Sequence, residues 1–210
     1  MGGDSAPIRV LAVDDHSVFR QGIASLLEDQ PDMILVAEAS NGREAIQQFR
    51  LHRPDVTLMD LQMQEMNGID ATIAIRNEFP NARIVVLTTY SGDVQVLRAL
   101  KAGAQGYLLK SILHKELLET IRMVHAGKKA LSSEASHEIA QHATDEALTP
   151  GEIAVLCLIA AGNANKQIAS QMSISEETVK SRVKNILSKL GAHDRTHAAM
   201  IGLKRGIIEL

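Results

Sequence analysis

The chain has 210 residues, 45% of them hydrophobic and 22% charged, and carries a net charge of −3. That length allows one large domain or two small ones. Its single cysteine, Cys157, excludes an internal disulfide and suits a reducing compartment. With no signal-peptide pattern and no run of about 20 apolar residues, a cytoplasmic protein is expected. Aromatic content of 2% leaves the core to Leu, Ile, Val, Ala and Met, which favours helices and parallel strands over a β-sandwich with aromatic anchors. The charge is unevenly spread. Residues 146–210 hold eight Lys or Arg against six Asp or Glu, and the remainder holds 14 against 19, so the two parts are expected to meet different partners.

In chain order, short apolar runs over Ile8–Val13, Met33–Ala39, Val56–Met59, Arg83–Thr88 and Gly106–Leu109 read as strands. Helical patterns over Ser17–Asp29, Asn41–Leu51, Gly68–Phe79, Asp93–Lys101 and Lys115–His125 alternate with them. Asn41, with Glu44 three residues on, is a capping arrangement. Five such βα units imply a parallel sheet with helices on both faces. Ser132 to Ala147 is rich in Ser, His, Glu and Ala, lacks a strong apolar period, and reads as a linker with room for some helix. Thr149-Pro150-Gly151-Glu152 then announces a new helix, with Thr as N-cap, Pro at the first position and Glu reaching back. Helices follow over Pro150–Ala161, Lys166–Met172, Glu176–Leu190 and Thr196–Lys204, the first and third stopped by Gly162 and Gly191.

Four of the five strands end in reactive side chains: Asp14-Asp15, Asp60, Thr88-Thr89 and Lys110. In an open parallel sheet the C-terminal strand ends are where ligands bind. Two adjacent carboxylates repel and favour a hard cation. Asp15, Asp60 and the backbone carbonyl of Gln62 can give magnesium three oxygens, with Asp14 acting directly or through water. Asp60 can then serve as a nucleophile toward phosphorus, while Lys110 pairs with one phosphoryl oxygen and Thr88 donates to another. The bland alternative is that the acids cap the helix near Ser17 and the lysine is a surface charge; four such groups on one sheet edge speak against it.

Residues 8 to about 128 resemble the receiver domain of two-component response regulators. The stretches that carry the likeness are Val13-Asp14-Asp15-His16, Leu58-Met59-Asp60-Leu61-Gln62-Met63, Leu87-Thr88-Thr89-Tyr90 and Ala102-Gly103-Ala104-Gln105-Gly106-Tyr107-Leu108-Leu109-Lys110. The resemblance implies a flavodoxin-like (βα)5 fold and phosphotransfer from a histidine kinase to Asp60 with Mg2+ or Mn2+. It also implies roles for Thr88 as the hydroxyl that moves toward the phosphoryl group, Tyr107 as a switch aromatic and Lys110 as phosphate partner. One departure is Gln64, where the family usually has a proline; the loop is left freer but loses no chemical group.

In the back half, a helix over Ser175 to Leu190 places Val179, Val183, Ile186 and Leu190 on one face. Glu177, Lys180, Ser181, Lys184 and Ser188 lie on the other. Residues 180–189 carry Lys180, Arg182, Lys184 and Lys189 with no acid. An apolar back and a basic, small-residue front suit the major groove, although such a face is also common on solvated helices. With the helix before it and the turn Ser173-Ile174-Ser175, it completes a helix-turn-helix.

Residues 148–204 resemble the LuxR-type helix-turn-helix through Leu148-Thr149-Pro150-Gly151-Glu152, Asn165-Lys166-Gln167-Ile168-Ala169, Ile174-Ser175-Glu176-Glu177-Thr178-Val179-Lys180 and Asn185-Ile186-Leu187-Ser188-Lys189-Leu190-Gly191. Gly151 stands where a charged residue is more usual. The resemblance implies base-edge contacts for Lys180, Ser181 and Lys184, and phosphate contacts for Lys166, Thr178, Arg182 and Asn185. Ala198, Ala199, Ile201 and Gly202 share one face of the last helix, with Thr196 as its expected N-cap, and are expected to pair two copies. The order of the two likenesses is that of the NarL/FixJ class. The expected arrangement is a receiver over 1–128, a linker over 129–147 and an all-α four-helix DNA-binding domain over 148–210. The expected protein is a transcription factor, phosphorylated by a histidine kinase, that binds double-stranded DNA as a homodimer. It is not chiefly an enzyme, having only self-phosphorylation and slow autodephosphorylation. One rival is a DNA-binding regulator that ignores phosphorylation and uses its receiver to dimerise. Another is a magnesium-dependent phosphohydrolase, which needs an acid–base carboxylate where Gln62 stands.

Overall fold

The computed structural model describes residues 6–89, 92–142 and 145–208. Tyr90 of the third motif, residues 143 and 144 of the expected linker, and the terminal residues 1–5 and 209–210 lie outside the described residues. Contacts divide the chain into two compact units, Met1–Thr89 with Val96–Ser136, and Tyr90–Gln95 with His137–Leu210.

The first unit is built on one sheet of β1 (Ile8–Val13), β2 (Met33–Ala39), β3 (Val56–Asp60), β4 (Ile84–Thr88), β5 (Gly106–Leu109) and β6 (Ala130–Leu131). The strand order is β2-β1-β3-β4-β5-β6 and every pair is parallel. The five expected strands are all present, and β3 runs one residue further to take in Asp60. The sixth strand was not expected. It lies in the segment read as linker and pairs Ala130 with Gly106 and Leu131 with Tyr107. Two residues are too few to show a period, so only the neighbouring strand edge reveals them.

In chain order the helices are α1 (Ser17–Glu28), α2 (Gly42–His52), α3 (Gly68–Glu78), α4 (Asp93–Lys101), α5 (Leu113–His125) and α6 (Ser133–Gln141). β3 and β4 are buried at every position, as strands covered on both faces must be. One core layer joins Ile23 and Leu27 of α1 with Leu117, Ile121 and Val124 of α5. The other joins Ala45 and Phe49 of α2 with Ala71 and Ile75 of α3. Asn41 caps α2 as expected, accepting from the Glu44 amide at 2.9 Å, while the Glu44 carboxylate accepts from the Ser40 amide at 2.7 Å.

In the second unit α7 (Pro150–Ala160), α8 (Asn165–Met172), α9 (Glu176–Leu190) and α10 (Arg195–Lys204) pack around Val155, Leu156, Ile159, Ile168, Val179, Ile186 and Ala198. The capping box of Thr149 and Glu152 forms at the start of α7. Gly191 closes α9 in the left-handed region at φ 59, a conformation that costs glycine no steric strain. The start of α10 differs from expectation. Its N-cap is Asp194, whose carboxylate accepts from the His197 amide at 2.8 Å, and Thr196 falls inside the helix. Asp and Thr both cap well, and the turn after Gly191 brings the earlier residue into position. Among the described residues no helix is long and apolar enough to cross a membrane. Cys157 is free and half-buried.

Candidate functional site

β1 and β3 are neighbours, yet the chain leaves β1 for β2 on the other side. Connections that diverge in this way open a crevice at the C-terminal strand ends. Asp14 and Asp15 follow β1, Asp60 ends β3, Thr88 ends β4 and Lys110 follows β5. Asp14 is fully buried, Asp60 is 3% exposed and Thr88 1%. The Lys110 ammonium bridges the two buried acids, with Nζ 2.7 Å from Asp14 Oδ2 and 2.9 Å from Asp60 Oδ2.

The charges set one another's chemistry. Burial pushes the Asp60 carboxyl above its ordinary pKa; Lys110 pulls it back and the Asp14 charge adds to the rise. Desolvation acts to lower Lys110, but its short contacts with Asp14 and Asp60 and their negative charge outweigh it and hold the ammonium above its usual value. Asp14 Oδ2 and Asp15 Oδ1 are buried and, although Lys110 Nζ and His16 Nδ1 each stand 2.7 Å away, have no well-aligned hydrogen bond. Acceptors left in that state suit a hard cation with oxygen ligands. The Gln62 amide donates to Asp60 Oδ1 at 3.3 Å, so the backbone of that residue lies against the phosphoacceptor candidate. Tyr107 is fully buried and hydrogen-bonded to Thr88, and burial pushes its phenol well up. Gln64 is exposed, and the loop turns next to it at Glu65, which holds φ 63.

Four residues at this site escaped the sequence reading as functional groups. The Phe19 ring lies beneath Lys110, with Nζ 4.7 Å from its centroid. Arg20 Nη1 donates to the Asp14 carbonyl at 2.6 Å. Gly68 packs so closely that a Cβ there would overlap the Asp60 carbonyl oxygen. His16 Nδ1 lies 2.7 Å from Asp15 Oδ1. Phe19 and Arg20 occur one helical turn past Asp15 and His16, which was the available signal; nothing local marks the approach of Gly68.

The second unit presents the helix face that the period predicted. Val179 and Ile186 are buried, Val183 and Leu190 half-buried, and Lys166, Lys180, Ser181, Lys184 and Asn185 exposed. The run of four cations is divided by the fold. Lys189 turns inward, with Nζ 3.0 Å from Glu152 Oε2 and 3.1 Å from Glu146 Oε1. Arg182 is half-buried and donates to the Gly151 carbonyl at 3.4 Å; a Cβ on Gly151 would stand 3.1 Å from its guanidinium. Thr178 is engaged at the helix start, its Oγ1 2.8 Å from Ser175 Oγ. Lys180 has Glu177 at 3.7 Å and Glu176 at 4.0 Å, contacts too exposed to hold it. On α10, Ala198 is fully buried and Gly202 packs on Leu156 and Ile208, so both face the unit's own core. Ala199 and Ile201 are half-buried, and Met200 is 64% exposed.

A parallel sheet with acids and a lysine at its switch point, followed by a helix-turn-helix, defines a class. The chain belongs to the two-component response regulators with a LuxR-type DNA-binding domain. The response regulator receiver domain family matches residues 10–122, and the luxR family of bacterial regulatory proteins matches 146–201. Among relatives, the transcriptional regulatory protein LiaR of Bacillus subtilis is 40% identical, with 96% of this chain and 99% of that protein covered. The response regulator VraR of Staphylococcus saprophyticus is 38% identical, with 97% and 100% covered. Among solved structures, ChrA of a heme-sensing two-component system is 34% identical with a TM-score of 0.59, covering 97% of this chain and all of that one. RcsB of Salmonella typhimurium reaches a TM-score of 0.72 at 26% identity, covering 92% and 98%. The chain is thus a transcription regulator rather than a member of a catalytic enzyme family.

Proposed function

We propose that Asp60 accepts a phosphoryl group from a histidine kinase and that this event controls DNA binding by the second unit. The observation that carries the reading is the Lys110 ammonium held between Asp14 and Asp60, 2.7 and 2.9 Å from their carboxylates. An Asp60 oxygen forms the bond to phosphorus as the P–N bond of the donor imidazole breaks and its electron pair leaves with that ring. Desolvation makes Asp60 more basic than an ordinary carboxylate, which favours attack. Lys110 is positioned to leave its carboxylates for a phosphoryl oxygen. Thr88, at the end of the next strand, donates to another, and this movement reaches Tyr107 through their hydrogen bond.

Asp14, Asp15, Asp60 and the Gln62 backbone carbonyl would hold Mg2+ or Mn2+. The buried, poorly bonded oxygens of Asp14 and Asp15 fit such an ion. When bound, it neutralises charge on the incoming phosphoryl oxygens. The receiver would carry out its own phosphotransfer and slow hydrolysis. Receiver, linker and DNA-binding parts are assigned to 1–128, 129–147 and 148–210, with β6 and α6 inside the connecting segment.

On DNA, Lys180, Ser181 and Lys184 are assigned to base edges. Lys166, Thr178, Arg182 and Asn185 are assigned to phosphates, Arg182 and Thr178 also serving the domain's own structure. Pairing of two copies is assigned to α10, where Met200 is exposed and Ala199 and Ile201 are half-buried, while Ala198 and Gly202 support the helix from beneath. RcsB has been solved as two dimers bound to two DNAs, at 25% identity to this chain and a TM-score of 0.72. The test is incubation with acetyl phosphate and magnesium. One phosphoryl mass is expected on Asp60, absent in Asp60→Asn; label on another residue, or uptake without a divalent ion, counts against the reading.

A further inference from the structure

The carboxylates of the receiver pocket have a nitrogen neighbour. His16 follows Asp15 directly and begins α1 as its N-cap, with φ −87 and ψ 106. Its amide donates to Asp14 Oδ1 at 3.0 Å, which anchors the residue at the mouth of the pocket. Its Nδ1 stands 2.7 Å from Asp15 Oδ1 and 3.3 Å from Asp14 Oδ1. One donor atom from each of Asp14, Asp15, His16 and Asp60 lies within 4.8 Å of the others. Asp14 Oδ2 and Asp15 Oδ1 are buried without a well-aligned hydrogen bond, so the acids retain acceptor capacity toward an ion.

Resting on the metal-pocket reading above, we propose that His16 is a metal-selecting ligand of this pocket. It gives an imidazole nitrogen to a borderline transition-metal ion such as Co2+, Ni2+ or Zn2+ and contributes nothing to Mg2+. The chemistry follows from donor type. Magnesium takes oxygen ligands, demands near-octahedral geometry and keeps several waters, so three acids and a carbonyl already serve it. Imidazole suits the later first-row ions, whose affinity for nitrogen donors rises toward copper. Because the ring is 73% exposed, it can turn toward an ion without disturbing the core. The pocket therefore has two modes, an all-oxygen one for magnesium and a mixed one for an ion that the histidine recruits.

The test uses the full chain at a single neutral pH and reads binding, not phosphorylation. Mg2+ and Co2+ are titrated separately by calorimetry, and the Co2+ visible spectrum is recorded. The chain has eight histidines, and His193 and His197 stack at 5.2 Å, so a His193→Gln background removes that competing pair. In this background, His16→Gln is expected to weaken Co2+ about tenfold or more, since even outer-shell partners of metal ligands are worth that much. The Co2+ bands should shift, and Mg2+ affinity should stay within about twofold because that ion uses no imidazole. Asp15→Asn is expected to weaken both ions. Unchanged Co2+ affinity in His16→Gln, or Mg2+ and Co2+ falling together there, overturns the role of His16 alone. Mg2+ binding that survives Asp15→Asn, or a starting protein that binds neither ion, overturns the pocket reading and this inference with it.

Discussion

Lys189→Gln and Lys166→Ala should separate two kinds of cation that look alike in the sequence. Each phosphate contact adds about 0.9 to the slope of log affinity against log salt. Lys166 is exposed at the start of α8, free to reach a phosphate. On the proposed dimer, its loss from both protomers removes two of the proposed contacts, so the slope should fall by about 1.8. Between 0.1 and 0.2 M salt the variant should then lose about 3.5-fold less affinity than the unchanged chain. Lys189 is only 13% exposed and spends its charge on Glu152 and Glu146. Its replacement should leave the slope unaltered and instead lower the thermal midpoint, because Glu152, 4% exposed, keeps its cap but loses its cation. The assay is fluorescence anisotropy on a random duplex across a salt series, with melting curves for both variants. If Lys189→Gln flattened the slope as much as Lys166→Ala, the inward assignment of Lys189 and the division of the basic run would be wrong.

Three further outcomes are expected. Gly68→Ala should destabilise the receiver by about 1–3 kcal/mol or more and slow phosphorylation of Asp60, because the added methyl meets an immovable backbone carbonyl; normal melting and normal uptake together would refute the close packing. Asp60→Asn should raise the melting temperature at neutral pH, since the Asp60 pKa is raised in the fold, mainly by burial. A raised acid contributes stability that is full below its unfolded value near 3.8 and lost as pH rises through its folded value, so the gap between variant and parent should close on acidification; a gap that widens in acid would reverse the sign. Ser173→Gly should stabilise the second unit by about 0.5–1 kcal/mol, as Ser173 closes α8 at φ 54, where a Cβ is strained; a lower melting point in this variant would show that the serine hydroxyl matters more than the backbone.

Residues 8–13, 33–39 and 106–109 declare their strands through apolar runs, and Asn41 and Thr149 mark helix starts through side chains that reach only three residues along. Such signals are local, and they suffice to place the alternation of strands and helices, the strand ends bearing Asp14, Asp15, Asp60, Thr88 and Lys110, and the polar face of α9. Association of those ends into one pocket followed from the rule that parallel strands share an edge. Tertiary structure alone decided how the charges were used. Lys189 and Lys184 are indistinguishable by type and lie on one helix, yet one is drawn to a buried acid 37 residues away and the other stays in solvent. Ala198 and Gly202 share a face with Ala199 and Ile201 by period, but Ala198 is fully buried in the unit's core and Gly202 is packed against Leu156 and Ile208. Phe19 beneath Lys110, Gly68 against Asp60 and the two-residue strand β6 are likewise set by partners remote in the chain. A period records which residues turn the same way; only the packed neighbour decides what they meet.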